Sequence, residues 1–383
     1  MQGRDCVVVG ASFAGLACAT VLARAGLRVT VLEKRADVGE KLRTTGIIVK
    51  DAVDQIALLD GLPQQYVHRV AGVRLYAPDM RFVDLEAPGY YFLATDTPAV
   101  MRWLAQRARD AGAEIRCGAV FRGARRTGSG FEIDGLGPAR YIVGADGPHS
   151  IVARHFSLGS SRKYLFGIEY EYAGVQVPEP GKLHCFLDRR IAPGYIGWML
   201  ESPTGAQVGL AYRMRKTSRR PDEAMHEFLG KITRIADLRN LVPTSVRAGK
   251  IPCGGLVSPL GARRLLLVGD AAGMVSPVTA GGIHTALKHG LAAGHAIADF
   301  LAGRREDPSG WFVRSYPRFR LKRLLRLAFD AFQSDTLTNW LLGTSALRRA
   351  ASVVYFHHRG VFDERGGANH ARRLPVRGNS IQG

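Results

Sequence analysis

The sequence predicts an α/β fold built around a parallel, dinucleotide-binding sheet. Three observations carry that prediction. An N-terminal strand–turn–helix–strand unit contains a glycine-rich turn; two later apolar strands run into Asp-Gly and Gly-Asp; and the 383 residues, 46% hydrophobic and 22% charged, suffice for one large core or two interlocked ones.

The first unit is MQGRDCVVVGASFAGLACATVLARAGLRVTVLEK. Cys6-Val7-Val8-Val9 is a β-branched run suited to a strand covered on both faces. The turn Gly10-Ala11-Ser12-Phe13-Ala14-Gly15 leads into an alanine-rich helix over 16–25, with Gly26 as a natural C-cap. A second strand over 28–32 is closed by Glu33, followed by Lys34. That acid stands about 20 residues beyond the glycines, where a ribose 2′-hydroxyl contact requires it. The helix N-terminus offers free N–H groups to a pyrophosphate. Ser12 occupies the place of the middle glycine, which normally lets the backbone approach the phosphates. Its side chain is small and its hydroxyl can donate to phosphate, so the turn is expected to keep its ligand. Glu33 disfavours a 2′-phosphate, which removes NADP and leaves FAD and NAD. Without a ligand, the same pattern is a helix packed closely on a sheet.

YIVGADGPHSIV, over 141–152, reads as a strand entering a turn that carries Asp146-Gly147. LLLVGDAAG, over 265–273, is a second buried strand, ending at Asp270. It continues through Gly281, Gly282 and Ile283 into the helix HTALKHGLAAGHAIADFL. An aspartate at a strand's C-terminal end can accept hydrogen bonds from a ribityl chain. The glycines let backbone lie against a flat ring, and the next helix N-terminus stabilises negative charge on it.

Together these motifs resemble the FAD-dependent oxidoreductases of the aromatic-hydroxylase-like superfamily, and within it the geranylgeranyl reductase family, over roughly residues 5–300. GADGPHSIVAR and LLLVGDAAGMVSPVTAGGI are similar to that family's Asp-Gly and Gly-Asp segments, and HCFLDRRIAPGYIGWMLESPTGAQVGLAYR to its substrate-domain signature. The resemblance implies a Rossmann-like FAD-binding domain interleaved with a β-sheet substrate domain, plus C-terminal helices. It implies FAD as the dinucleotide, with Gly10 and Gly15 under the pyrophosphate, Glu33 on the adenosine ribose and Asp270 at the ribityl and phosphate region. Asp146 orders its loop, while Gly281, Gly282 and Ile283 line the isoalloxazine. The chain departs from the family in three places. Thr45, in LRTTGIIV, replaces a flavin-side cysteine, with Arg43 just upstream still within reach of the cofactor. Thr97 stands where an arginine follows the aspartate, leaving Arg102, about a turn later, as a substitute. The tyrosine of PGYIGW sits one residue early, and Leu200-Glu201 replaces Phe-Pro.

On this architecture the FAD domain comprises 1–72, 95–160 and 250–300, and the substrate sheet 73–94 and 161–249. Within the first, DTPAVMRWLAQRARDAGAEI reads as a helix with Pro98 in its first turn, then a strand. Within the second, VRLYAPDMRFVDL supplies strands, and alternating Leu183, Cys185 and Leu187 suit a sheet with one covered face. Residues 221–243 read as helical. The region 301–366 is helical, and 367–383 is a Gly- and Arg-rich tail expected to be disordered. In RSYPRFRLKRLLRLAFDAFQ, helical spacing puts Leu321, Leu324, Leu325, Ala328 and Phe332 on one face and Arg318, Lys322, Arg323 and Arg326 mostly on the other. Such a helix either closes the substrate cavity or lies on an anionic membrane.

Charge and cysteine content narrow the chemistry. The net charge is +20, with 15 Lys or Arg against 6 Asp or Glu from Arg304 onward, which favours anionic partners such as an acidic electron carrier or acidic lipid. No nucleic-acid module is recognisable. The five cysteines are scattered without a CxxC pair, as in a reducing cytoplasm, and the histidines lack ligand spacing, so no metal is expected. No apolar run reaches the ~20 residues of a bilayer span, and the first strand begins too early for a signal peptide. The expectation is a cytoplasmic enzyme, peripheral to the membrane face. A single dinucleotide fingerprint means that an external reductant, NAD(P)H or ferredoxin, must reduce the flavin. The flavin then passes hydride to a carbon–carbon double bond of a hydrophobic prenyl-lipid substrate. Tyr195 and a water near His284 are candidate proton donors, with Trp198 beside them; Tyr195 and Trp198 read equally as a core-filling aromatic pair. The alternatives are a flavin monooxygenase acting on a lipid or aromatic substrate, and a non-redox cyclase or isomerase.

Overall fold

The computed structural model describes residues 3–214, 220–320, 322, 324, 326–327, 334–342 and 344–356. The apolar strands expected at residues 6–9, 141–144 and 265–268 become neighbours in one sheet. Its parallel core runs β18 (Leu265–Leu267), β11 (Gly137–Gly144), β1 (Arg4–Val9), β2 (Val29–Glu33) and β8 (Glu114–Cys117). Antiparallel β17 (Gly261–Ala262) flanks β18, while β9 (Ala124–Arg126) and β10 (Phe131–Ile133) extend from β11. Val7, Val8, Tyr141, Ile142 and Val143 are fully buried, as residues covered on both faces should be.

Helix α1 (Phe13–Arg24) follows the first turn and begins three residues earlier than its alanine content suggests, because Ser12 caps it. It packs against α6 (Ile283–Leu301) with backbone almost in contact. A Cβ at Gly290 would lie 2.4 Å from the Ala14 carbonyl oxygen, and one at Gly294 would lie 2.8 Å from Val21. The remaining helices of this part are α2 (Lys50–Gln55), α3 (Thr97–Asp110) and α4 (Ile151–His155). Asp96 caps α3 by accepting from the Ala99 amide at 3.1 Å, with Pro98 in the first turn.

The second sheet has seven strands in the order β16 (Ser245–Pro252), β12 (Tyr164–Ala173), β15 (Gly205–Arg213), β14 (Gly197–Ser202), β13 (Lys182–Phe186), β5 (Gly72–Tyr76) and β6 (Phe82–Glu86). All its pairings are antiparallel except β13 with β5. A small third sheet joins β3 (Ile48–Val49), β7 (Phe92–Thr95) and β4 (Val67–Val70). Both faces of the seven-stranded sheet are covered, which corrects the one-sided reading of Leu183 and Cys185. His184 and Phe186, on the opposite face, are also buried, Phe186 against Phe228 of α5 (Pro221–Ile232). The other face meets Tyr90, Phe92, Leu342, Ala351 and Phe356. Helix α5 stops at Ile232 instead of continuing to residue 243. The Ile235 and Ala236 amides both turn back to the Ile232 carbonyl, and the Asp237 side chain takes the Arg239 amide, a local competitor to helix continuation.

Beyond α6, the short α7 (Pro308–Trp311) and Tyr316 return to the first sheet, where the Tyr316 hydroxyl donates to the Leu267 carbonyl at 2.9 Å. Helices Asp335–Leu341 and Ser345–Phe356 follow. The amphipathic reading of the intervening stretch is corrected where it can be examined: Arg326 is buried and donates to the Gly194 carbonyl, whereas Leu324 is 64% exposed. An inward carbonyl on a positive-φ glycine needs a donor, and the guanidinium supplies it. Leu321, Arg323, Leu325, Ala328, Phe332 and the tail 367–383 lie outside the described residues.

Two glycine substitutions separate packing from propensity. Gly290→Ala must push α1 and α6 apart and is expected to cost about 1–3 kcal/mol in urea unfolding. Gly230→Ala on α5, where a Cβ meets nothing within 4 Å, should be neutral or stabilise by up to about 1 kcal/mol.

Candidate functional site

The C-terminal ends of β2, β1, β11 and β18 lie side by side, and the turns that leave them converge. Gly10 donates its N–H to Leu32 O, Ala145 to Val9 O and Val268 to Gly144 O, at 2.8–2.9 Å. Gly10 has φ +102°, and a Cβ there would lie 2.5 Å from Ala145 O. A Cβ at Gly15 would lie 2.1 Å from Gly10 O. Both must therefore be glycine. Ser12 is under no such constraint: its backbone is extended (φ −86°, ψ 172°), and its Oγ accepts from the Gly15 amide at 3.2 Å. The serine serves as an N-cap, and its own hydroxyl proton remains available to a ligand. Ala14 is buried in the same turn, against α6.

Glu33 ends β2 inside the site. Its Oε2 accepts from the Ala11 amide at 2.9 Å, and Arg35 grips both oxygens at 2.8 and 3.0 Å. Burial raises its carboxyl, but the Arg35 and Ala11 hydrogen bonds outweigh that and hold it below the usual range. Arg35 escaped the sequence reading; the only signal was a cation two residues after the acid. Lys34 is exposed.

Asp146 orders its loop. Its Oδ2 accepts from the Ile151 and Val152 amides at 2.6 and 3.2 Å, while Ser150 Oγ caps α4 at Ala153 N. Its other oxygen, Oδ1, is buried without a partner among the described residues, and burial raises the carboxyl. Gly147, with φ +84°, opens the turn. Asp270 lies on the 3-10 turn Gly269–Ala272, where burial pushes its carboxyl up to about 6. Its Oδ1 faces Gly282, the residue preceding Ile283 in α6, and no side chain caps that helix. Exposed Gly281 lies in the turn held by Ser276 N to Gly281 O at 3.1 Å. An orphaned carboxylate oxygen, a glycine cradle and an uncapped helix N-terminus are the donors and acceptors that a ribityl-pyrophosphate chain with a flavin ring requires, so the residues present fit FAD.

Elsewhere, the residues singled out from the sequence are distributed differently. Arg102 is not brought to this turn: it faces solvent from α3 and pairs with Asp37 Oδ1 at 2.8 Å, because Val100, Met101 and Leu104 take the inward positions. Arg43 is exposed, with its stem lying over Gly249. His149 has its pKa lowered by desolvation and by the charges of Lys250, Arg43 and Arg154. Tyr195 donates its hydroxyl to the Thr279 carbonyl in the loop before α6. Trp198 lies flat against Gly209, where a Cβ would approach the indole to 2.4 Å, and its Nε1 donates to Glu169 Oε2 at 2.9 Å. His284 is half-buried in the first turn of α6.

The departures at 45 and 97 have a local explanation. Thr97 Oγ1 donates to Thr45 O at 3.1 Å, Thr95 Oγ1 donates to Gly46 O at 2.8 Å, and the two hydroxyls meet at 3.0 Å. Gly46 has φ +81°, and a Cβ there would overlap Thr97 Oγ1 at 2.0 Å. The threonines thus latch the 45–46 turn to the end of β7. Facing this latch from the second sheet are Gln207, whose Nε2 donates to Thr95 O at 3.3 Å, and the buried Glu169, Glu171 and Arg247. None of these four stood out in the sequence, since each is a single polar residue within a strand. Among the described residues no His, Cys, Asp and Glu cluster suits a metal ion.

Known proteins agree with this geometry. A family model described as an FAD binding domain matches residues 4–323. The chain is 31% identical to digeranylgeranylglycerophospholipid reductase 2 of Methanopyrus kandleri, over 82% of this chain and 81% of that protein. It is 28% identical to digeranylgeranylglycerophospholipid reductase of Methanocaldococcus jannaschii, over 82% and 81%. Among solved structures, a geranylgeranyl bacteriochlorophyll reductase-like protein from Thermoplasma acidophilum superposes with TM-score 0.79 at 19% identity, covering 94% and 98% of the two chains. A flavin-dependent brominase does so with TM-score 0.71 at 15% identity, covering 94% of each. These two likenesses bear on the fold alone.

Two measurements test the site. Gly10→Ala should abolish FAD retention through purification, whereas Ser12→Gly, which loses a cap worth only a few tenths of a kcal/mol relative to glycine, should retain it. For Asp270, the folded carboxyl at about 6 lies above its ordinary 3.8, so the unfolded chain loses this proton first as pH rises. FAD-free protein should therefore lose stability between those two values and level off above them, and Asp270→Asn should flatten that slope in pH-dependent denaturation.

Proposed function

The chain belongs to the FAD-binding-domain family and, within it, to the geranylgeranyl reductases, and on that premise we propose that it reduces carbon–carbon double bonds of a prenyl lipid. The observation that carries this reading is the similarity to digeranylgeranylglycerophospholipid reductases over about four-fifths of both chains. When bound, FAD supplies the hydride. The protein binds, orients and dries the site. Gly10, Gly15, Ser12 and the α1 N-terminus receive the pyrophosphate, and Glu33 the ribose. Asp146 and Asp270 receive the remaining polar chain, and the uncapped start of α6 stabilises negative charge at the ring. The apolar cluster that Ala280, Tyr195 and Ile47 join, with Leu342 and Phe356 from the last helices, suits an isoprenoid tail and excludes water. This reading assigns the parallel sheet to the cofactor and the seven-stranded sheet to the substrate.

The electron donor is assigned to an anionic visitor, NAD(P)H or an acidic ferredoxin. Arg43, Arg154 and Lys250 support this, because they lie near one another and make no ion pair among the described residues. A peripheral membrane position accords with the C-terminal surface. There, Leu324, Leu327, Leu337 and Trp340 are 43–73% exposed, beside exposed Arg318, Arg320, Arg348 and Arg349. Among the described residues, no helix is long and apolar enough to cross a membrane.

The test is a visible spectrum of dithionite-reduced protein under strict anaerobiosis, titrated with a geranylgeranyl lipid. Return of the oxidised flavin band without oxygen is the expected result, and it identifies the alkene as electron acceptor. A band that returns only on admitting air would replace this reading with monooxygenase chemistry.

A further inference from the structure

Beneath the threonine latch, the buried charges do not balance. Glu169 and Glu171 on β12 and Arg247 on β16 are only 3%, 7% and 6% exposed. Arg247 donates through Nη1 to Glu169 Oε1 at 3.0 Å and through Nη2 to Glu171 Oε2 at 2.6 Å. The remaining partners are neutral. Trp198 Nε1 donates to Glu169 Oε2, Thr204 Oγ1 donates to Glu171 Oε1, and the Thr45 side chain hydrogen-bonds Glu169. Two carboxylates share one guanidinium, so full ionisation would leave a net negative charge in the core. An unpaired buried charge costs several kcal/mol, which a protein relieves by binding a proton. Of the two acids, Glu169 reaches the loop at Thr45, and Glu171 is turned toward Thr204.

We propose that Glu169 holds a proton at neutral pH and delivers it through the Thr45 hydroxyl toward the double bond, as a positioning residue for the proton half of the reduction. This rests on the prenyl-reductase reading above. Burial raises the Glu169 carboxyl, against the opposing pull of Arg247. In the transfer, the Glu169 O–H bond breaks and its proton passes to Thr45 Oγ. The hydroxyl proton of Thr45 leaves for one alkene carbon, and the other carbon receives the hydride, with its electron pair, from reduced FAD. Glu169 is left as a carboxylate held by Arg247 and Trp198. A hydroxyl accepts and donates at once, which an apolar residue at position 45 cannot do.

Infrared spectroscopy of the whole protein, without substrate, tests the proton. At pH 7 the wild type should show the carbonyl stretch of a buried protonated carboxyl, shifted in D2O, lost in Glu169→Gln and retained in Thr45→Val. Absence of that band from the wild type, or its persistence in Glu169→Gln, would overturn the assignment. Thr45→Val is then compared with Thr45→Ser in the anaerobic lipid titration. The valine variant should reoxidise about 100-fold more slowly, the lower end of what a positioned acid contributes, and the serine variant should restore the rate. Equal rates for the two sink the relay. Should wild-type flavin fail to reoxidise with any prenyl lipid, the reductase reading falls, yet the infrared band still decides where the proton sits.

Discussion

The close approach of two turns governs the cofactor end of this molecule. Gly10 lies so near the Ala145 carbonyl that no side chain fits between them, and this contact is possible only because β1 and β11 are adjacent and parallel in full register. The same adjacency aims Gly10, Asp146 and Asp270 from three neighbouring strands at one crevice. Helix α1 can then lie on α6 with glycine against backbone, bringing two helix N-termini to the same place. Loosening the approach of Gly10 would move the carboxylates and both helix ends together.

The parallel sheet and its turns were legible in the sequence because their constraints are local. A β-branched run followed by Gly10, or an apolar strand ending at Asp270, says the same thing at every level from propensity to ligand. Ser12 shows the limit of that language: measured against a glycine pattern it is a defect, but in three dimensions it is a cap. The reach of α5 was overread because Ile235, Leu238 and Leu241 continue an apolar rhythm that Asp237 interrupts by binding backbone.

What stayed hidden depends on pairing across long separations. Glu169 and Arg247 are 78 residues apart, and only the register of β12 with β16 makes them a pair. Nothing in YEYAGVQ or SVRAGK announces a buried charge, since alternating polar residues in a strand ordinarily face water. Arg326 misled for the same reason: helical periodicity places an arginine outward until a distant carbonyl, that of Gly194, needs a donor. Arg102 shows the reverse, a cation whose distance along a helix suited the cofactor but whose face did not.

The latch formed by Thr95, Thr97 and Gly46 also constrains how this sequence can change. The resemblance places an arginine at position 97 in relatives, but here that position is fully buried, and its hydroxyl fills the space a Cβ at 46 would need. Restoring the arginine alone would drive a long cation into the hydroxyl pair and release the turn that carries Thr45. A chain that has taken the threonine route can return only by altering several positions together. The choice at position 97 therefore acts as a ratchet, holding this lineage to a hydroxyl, rather than a thiol, beside its cofactor.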